Sequence, residues 1–151
     1  MKMNLIIKDE YPVIRVGLSR LIKNHGCRKV LSCASITETR DAVLGAPAPV
    51  DLLIFGMHQD EVRDIGKLIT TANIHWKGNG LRVLVLSELY EFLYAPLCIS
   101  AGAKGFVSMH ENHRMILSAV KAVSLNGIFV NPLLESHPII QCAAGKSGLD
   151  G

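Results

Sequence analysis

Five short apolar runs, each followed by a stretch of helical periodicity, constrain this chain more than any other feature. The runs are MNLIIK (3–8), RKVLSCA (28–34), VDLLIF (50–55), LRVLVL (81–86) and KGFVS (104–108). Within the third, Leu52-Leu53-Ile54-Phe55 has no polar alternation, as expected of a strand covered on both faces, and the run breaks at Gly56. Strands alternating with helices in this way predict an α/β domain of five βα units. Its sheet is parallel, its crossovers are right-handed and its helices lie on both faces.

The helical stretches carry their own punctuation. In YPVIRVGLSRLIKNHG, Ile14, Leu18, Leu21 and Ile22 share a face, Pro12 sits near the start and Gly26 just past the end. The second helix opens at Ser35-Ile-Thr-Glu38, a capping-box spacing, and stops before Gly45 and the Pro47/Pro49 linker. A third spans roughly 61 to 75 with Val62, Ile65, Leu68 and Ile69 inward, and Trp76 then caps a hydrophobic edge. The last runs from about 111 to 126, with Ser108 and Glu111 as a second capping box and Gly127 as its stop. The fourth is irregular. Pro96 falls within YEFLYAPLCISAG, where it removes a backbone hydrogen bond, so a late start near Pro96 is expected.

Composition excludes several classes of function. A chain of 151 residues, 49% hydrophobic and 19% charged, supplies one domain with a sizeable core. A net charge of +3 is too weak to imply nucleic acid, and the basic tint of Arg15, Arg20, Lys23, Arg28 and Lys29 reads as a solvated face. Cys27, Cys33, Cys98 and Cys142 form no CxxC pair, which suits reduced thiols in a cytoplasmic protein. No apolar run approaches the ~18 residues of a membrane span, and MKMNLIIKDE is too briefly apolar for a signal peptide. Ala144-Gly145-Lys146-Ser147 ends like a phosphate loop but lacks the first glycine and any following helix. His110 and His113 have no third ligand nearby and read as surface histidines.

Chemistry in an open parallel sheet gathers at the C-terminal strand ends. Asp9 and Glu10 follow the first strand there, Ser87 ends the fourth and Met109 lies just past the fifth. Adjacent carboxylates at such an edge suit a hard cation such as Mg²⁺. They equally suit a helix N-terminus, which welcomes negative charge.

DEYPVIRVGL (9–18) is similar to the pattern D-D-H-P-L-V-R-x-G-L, and ISAGAKGFVSM (99–109) to A-L-x-A-G-A-K-G-Y-L-L-K. With VDLLIF and RVLVLS, these segments resemble the receiver domains of bacterial two-component response regulators of the NarL/FixJ (LuxR-type) group, over roughly residues 3 to 130. The resemblance implies a CheY-like, flavodoxin-like doubly wound sheet of order 2-1-3-4-5. It also implies a receiver over residues 1–130 and a linker over 131–151. GLDG (148–151) sits where such regulators enter a helix-turn-helix beginning G-L-T-x-R-E, so DNA would be contacted only through a further domain.

Carried over by position, the family's phosphoacceptor falls on Gly56 and its Mg²⁺-holding acid pair on Asp9 and Glu10. Its phosphoryl-contacting hydroxyl falls on Ser87, its conserved lysine on Met109, its switch aromatic on Phe106, and the small residue after the hydroxyl on Glu88. A glycine offers no nucleophile. Methionine cannot stabilise transferred negative charge, and Glu88 adds repulsion. The implied domain is therefore a pseudo-receiver, with no cofactor, at most weak Mg²⁺ binding and no enzymatic activity. It would act in signal transduction as a dimerisation or docking module of a transcription regulator.

Pairing with a second copy or another regulator would use helices one and five, or helix four with strand five and helix five. Alternatives are a receiver that senses a small ligand such as a nucleotide second messenger, or one phosphorylated at Asp60 or Glu88. Asp60 lies four residues past Gly56 and would miss the in-line geometry. A nucleotide-binding enzyme is disfavoured because KDEYP has no glycine-rich cradle. A silent pocket still leaves Asp9, Glu10 and Glu88 as like charges at one edge, which calls for an offset from a bound cation, the N-terminus of helix one or a basic side chain folding across the opening. Lys8, Lys104 and His58 are candidates. His58, two residues past Gly56, is best placed to cover the opening, and pairing there would raise its pKa.

Overall fold

The sheet consists of five parallel strands, β1 (Asn4–Lys8), β2 (Lys29–Cys33), β3 (Leu52–Met57), β4 (Val83–Ser87) and β5 (Gly105–Ser108), in the order β2-β1-β3-β4-β5. The computed structural model describes residues 3–27, 29–77 and 80–145. Arg28, the Lys146-Ser147 end of the phosphate-loop look-alike and GLDG lie outside the described residues. Between and after the strands run α1 (Pro12–Lys23), α2 (Ile36–Gly45), α3 (Val62–His75), α4 (Glu91–Ser100), α5 (His113–Ser124) and a short α6 (Pro138–Ala143).

Strand parity sorts the side chains into two cores. Ile6, Leu53, Phe55, Met57, Val83, Val85 and Phe106 face α2, α3 and α4. Leu5, Ile7, Leu52, Ile54, Leu84, Leu86 and Val107 face α1 and α5. Each such Leu, Ile or Phe stabilises the fold by roughly 1.5–3 kcal/mol relative to its exposed state. Every residue of β3 is buried, which explains the missing alternation. The strand does not break at Gly56. It continues through Met57, with Gly56 opposite Leu86 and Met57 opposite Ser87.

Local signals set several helix ends. Ser35 accepts the Glu38 N–H at 3.1 Å, and Glu38 returns a bond to the Ala34 N–H at 2.8 Å. Pro12 begins α1, and Gly26 turns the chain at φ +94°. Trp76 is packed within the core beside α3 rather than simply capping an edge, and its indole N–H has no partner among the described residues.

Two expectations are corrected. α4 does not wait for Pro96: it starts at Glu91 and runs unbroken to Ser100 with the proline inside. Pro96 leaves the Phe92 carbonyl without its helical donor, at a cost of about 3 kcal/mol. Burial of Ala95, Pro96, Cys98 and Ile99 against the sheet offsets that cost. α5 is capped not by Ser108 but by Asn112, whose side chain accepts the Met115 N–H at 3.0 Å. Ser108 instead closes a turn onto the His110 N–H. The stop falls on Asn126, at φ +67°, and the Gly127 N–H bonds to Ala122 O at 2.8 Å. Asn112→Ala should therefore lower stability by about 1 kcal/mol, read as a lower urea midpoint at unchanged m-value, and Ser108→Ala should cost less.

The segment expected to be a linker from residue 131 begins next to a bridge to the sheet. Phe129 bridges Gly105 in parallel, with Phe106 N–H to Phe129 O at 2.9 Å and Phe129 N–H to Lys104 O at 3.0 Å. A 3₁₀ turn (Pro132–Leu134) and α6 follow, and Leu134 and Ile140 are buried in the core under α4. Through Ala143 this tail packs against the core and α4, and its Phe129 bridge occupies the outer edge of β5, which otherwise offers unpaired backbone groups.

Candidate functional site

The C-terminal strand ends bring Asp9, Gly56, His58, Ser87, Glu88 and Met109 to one edge of the sheet. Asp9, one residue past β1, is fully buried. Its Oδ1 accepts the Tyr11 N–H at 2.9 Å, an Asx-type turn that starts α1, and its carbonyl accepts Arg15 Nη1 at 2.7 Å.

His58 lies across the opening. Its Nε2 stands 2.9 Å from Asp9 Oδ1 and 3.0 Å from Oδ2, and its Nδ1 stands 2.9 Å from Glu88 Oε1. The Tyr11 ring meets the imidazole edge-on at 4.3 Å between centroids. A carboxylate only accepts hydrogen bonds, and a neutral imidazole has only one N–H, so this geometry is fully satisfied only by the imidazolium. Burial works against that charge, and the hydrogen bonds that His58 donates to Glu88 and Asp9, with their negative charges, more than reverse it. The His58 pKa is raised above its ordinary 6.5.

Gly56 is held to glycine by its neighbour. A Cβ built there falls on the Asp9 carboxylate, 2.7 Å from Cγ, and 2.9 Å from the Lys8 carbonyl oxygen. The space a side chain at 56 would fill is thus occupied by Asp9. The Ser87 hydroxyl is engaged too, donating to Met57 O and accepting the Leu89 N–H at 3.1 Å. Met109 packs on the α1/α5 core, and Phe106 is fully buried on the other face.

Other candidates lie elsewhere. Glu10 is exposed and does not join Asp9, so the adjacent acids do not form a pair. Asp9 itself has both oxygens turned to His58 and Tyr11, so the donors do not fit a carboxylate-bound Mg²⁺. Lys104 precedes β5 at the opposite edge of the sheet, its N–H on Val83 O. Asp60 is exposed and accepts the Val62 N–H at 3.2 Å as α3 begins. His110 and His113 are exposed. No group of three or more His, Cys, Asp or Glu is placed to hold a metal ion among the described residues. All four cysteines are free, and burial pushes the Cys98 thiol up to about 12.

Beside the pocket lies an ion pair not anticipated from the sequence. Lys8 is buried and does not cross the opening. Its Nζ donates to Gly56 O at 2.9 Å and to Glu61 Oε1 at 3.1 Å, and lies 4.3 Å from the centre of the Phe55 ring. The signal was present: Lys8 shares strand parity with Ile6, on the face covered by α3, so its charge had to find a partner at the start of that helix.

No family model matches the chain. It is 32% identical over 127 residues to the transcription regulator BvgA of Bordetella pertussis, covering 79% of this chain and 54% of that protein. It is 32% identical over 122 residues to the Fimbriae Z protein of Salmonella typhimurium, covering 80% and 55%. The chain therefore spans about half the length of the curated relatives it matches. Its fold matches the crystal structure of a LuxR-family DNA-binding response regulator from Silicibacter pomeroyi at a TM-score of 0.68 and 21% identity, over 87% of this chain and 99% of that one. No helix among the described residues is long and apolar enough to cross a membrane.

Proposed function

Because this chain belongs to the receiver domains of NarL/LuxR-type response regulators, we propose that it is a receiver working without phosphorylation, as a protein-contact module of a cytoplasmic transcription regulator. The observation that carries this reading is the filled pocket. Asp9 occupies the volume of a side chain at 56, and His58 supplies the positive charge that holds Asp9 and Glu88 together. Phosphoryl transfer to protein needs a nucleophile, a cation at the developing charge and room for the phosphoryl oxygens. Here the nucleophile is absent, the cation is spent on the chain's own carboxylates, and Ser87 is bonded to backbone. Of the other acids, Glu88 is bound by His58 and Asp60 is turned to the α3 N-terminus.

Intact mass spectrometry after incubation with acetyl phosphate and Mg²⁺ should show no phosphoryl adduct, and beryllofluoride should leave the amide NMR spectrum unchanged. An acid-labile adduct on any aspartate or glutamate would refute the reading. Gly56→Asp alone should stay unmodified, because its Cβ collides with Asp9 and Met109 still contributes no charge.

A further inference from the structure

We infer that the outer edge of β2 receives an extended segment of another protein whose side chains alternate between acidic and apolar, an inference that rests on reading the domain as a contact module. The sheet ends at β2, and among the described residues no strand pairs with its far side. The opposite edge, at β5, is covered by Phe129. On the inner side, the Cys33 carbonyl accepts the Asp9 N–H at 3.1 Å. Backbone groups alternate sides along a strand, so those of Val30 and Ser32 point away from β1 and are open to a sixth strand. Such edges are ordinarily blunted by charge, proline or a bulge. Here Lys29 is the one charge in the strand, and Leu31 at its centre is 51% exposed.

Grooves of different character flank this edge. On the α1 side a groove of about 460 Å³ is bounded by Arg15, Ser19, Arg20, Lys23 and Ser32. α1 contains no acid, Arg15 is turned to the Asp9 carbonyl, and the Arg20 and Lys23 side chains have no partner among the described residues. On the α2 side a groove of about 300 Å³ is bounded by Leu31, Ala42, Ala46, Pro47 and Val50, and its two charges, Lys29 and Asp41, are opposite in sign. A strand laid against β2 turns its successive side chains to one groove and then the other. Carboxylates then meet Arg20 and Lys23, and apolar side chains meet Leu31. Main-chain hydrogen bonds to Val30 and Ser32 supply affinity, and the two grooves supply specificity. A second copy does not fit. Two-fold pairing at β2 sets the cationic groove of one copy beside that of the other, and like charges repel.

A peptide of about eight residues alternating glutamate and valine, titrated into the 151-residue chain, should shift the amide NMR signals of β2, of Arg20 and Lys23, and of Ala42 and Ala46. The Val30 and Ser32 amides should gain protection from hydrogen exchange, which contact with α1 alone does not produce. Arg20→Gln/Lys23→Gln should weaken binding about ten-fold, the worth of two exposed ion pairs, and Leu31→Ser should weaken it several-fold. A peptide with its glutamates in one block, or with lysine in place of glutamate, should not bind the parent chain, a control that holds even if a variant unfolds. No binding at millimolar peptide overturns the inference, and so does equal binding of either control peptide. Protection of Val30 and Ser32 that rises with protein concentration alone assigns the edge to a second copy and overturns it. Tighter binding of a short DNA duplex at Arg20 and Lys23, without protection in β2, also overturns it. Each of these failures leaves the phosphorylation-free reading intact, whereas a phosphoryl adduct in the mass experiment removes that reading instead.

Discussion

Replacing His58 with leucine should destabilise the domain by about 3–5 kcal/mol at mildly acidic pH, because it strands a fully buried carboxylate without its cation. That corresponds to a fall of roughly 10 °C in unfolding midpoint for a domain of this size. The loss has a diagnostic pH dependence. The His58 pKa is raised in the folded state, so its contribution is fully present below the unfolded value of 6.5 and is lost as pH rises through the folded value. Urea titrations of the parent should show this component at acidic pH, and His58→Leu should abolish it. Asp9→Asn should recover part of the stability in the His58→Leu background, since it removes the charge that was stranded. In the parent background Asp9→Asn should lower the His58 pKa in an NMR titration of its ring protons. An unchanged curve would place His58 in solvent. Glu88 is half exposed, so Glu88→Gln should cost less than about 1 kcal/mol.

The second large effect is expected at Lys8. Lys8→Met keeps the length and the apolar stem but removes the ammonium that serves Gly56 O and Glu61. Glu61 is then buried without a partner, and the substitution should cost about 3–5 kcal/mol. Lys8→Met/Glu61→Leu replaces the pair with apolar groups and should restore most of that loss, since desolvation and attraction nearly cancel in a buried pair. Chemical denaturation of the four proteins in the cycle measures the coupling directly. If the double variant is as unstable as Lys8→Met alone, the damage comes from repacking around Phe55 and not from the stranded acid.

Much of this architecture was legible because it rests on local rules. The covered strand at 52–55, the Ser35/Glu38 box and the Gly26 turn each follow from residue chemistry within a few positions. What was not legible depends on tertiary context. Pro96 argues against a helix on propensity, yet burial of its neighbours against the sheet prevails. Ser108 and Asn112 are both plausible caps by type, and the path of the chain leaving β5 chose Asn112. Asp9 and Glu10 look like a pair in sequence, but successive residues diverge at a strand end, one inward and one to solvent. The place of His58 follows from spacing combined with a correction: β3 continues through Met57, and that brings the ring over Asp9.

The fit of Gly56 against Asp9 acts as a ratchet on what this sequence can become. An aspartate appearing at 56 collides with a carboxylate already in its space. Asp9 cannot vacate that space while the His58 ring and the Tyr11 N–H hold it. Even a vacated pocket would have Met109 where a positive charge is required. If the domain works without phosphate as proposed, a phosphate-accepting variant would need changes at positions 56, 58 and 109 together, and no single one of them would suffice. Gly56, Asp9 and His58 therefore form one fitted unit, and a change at any one of them is felt first at the other two.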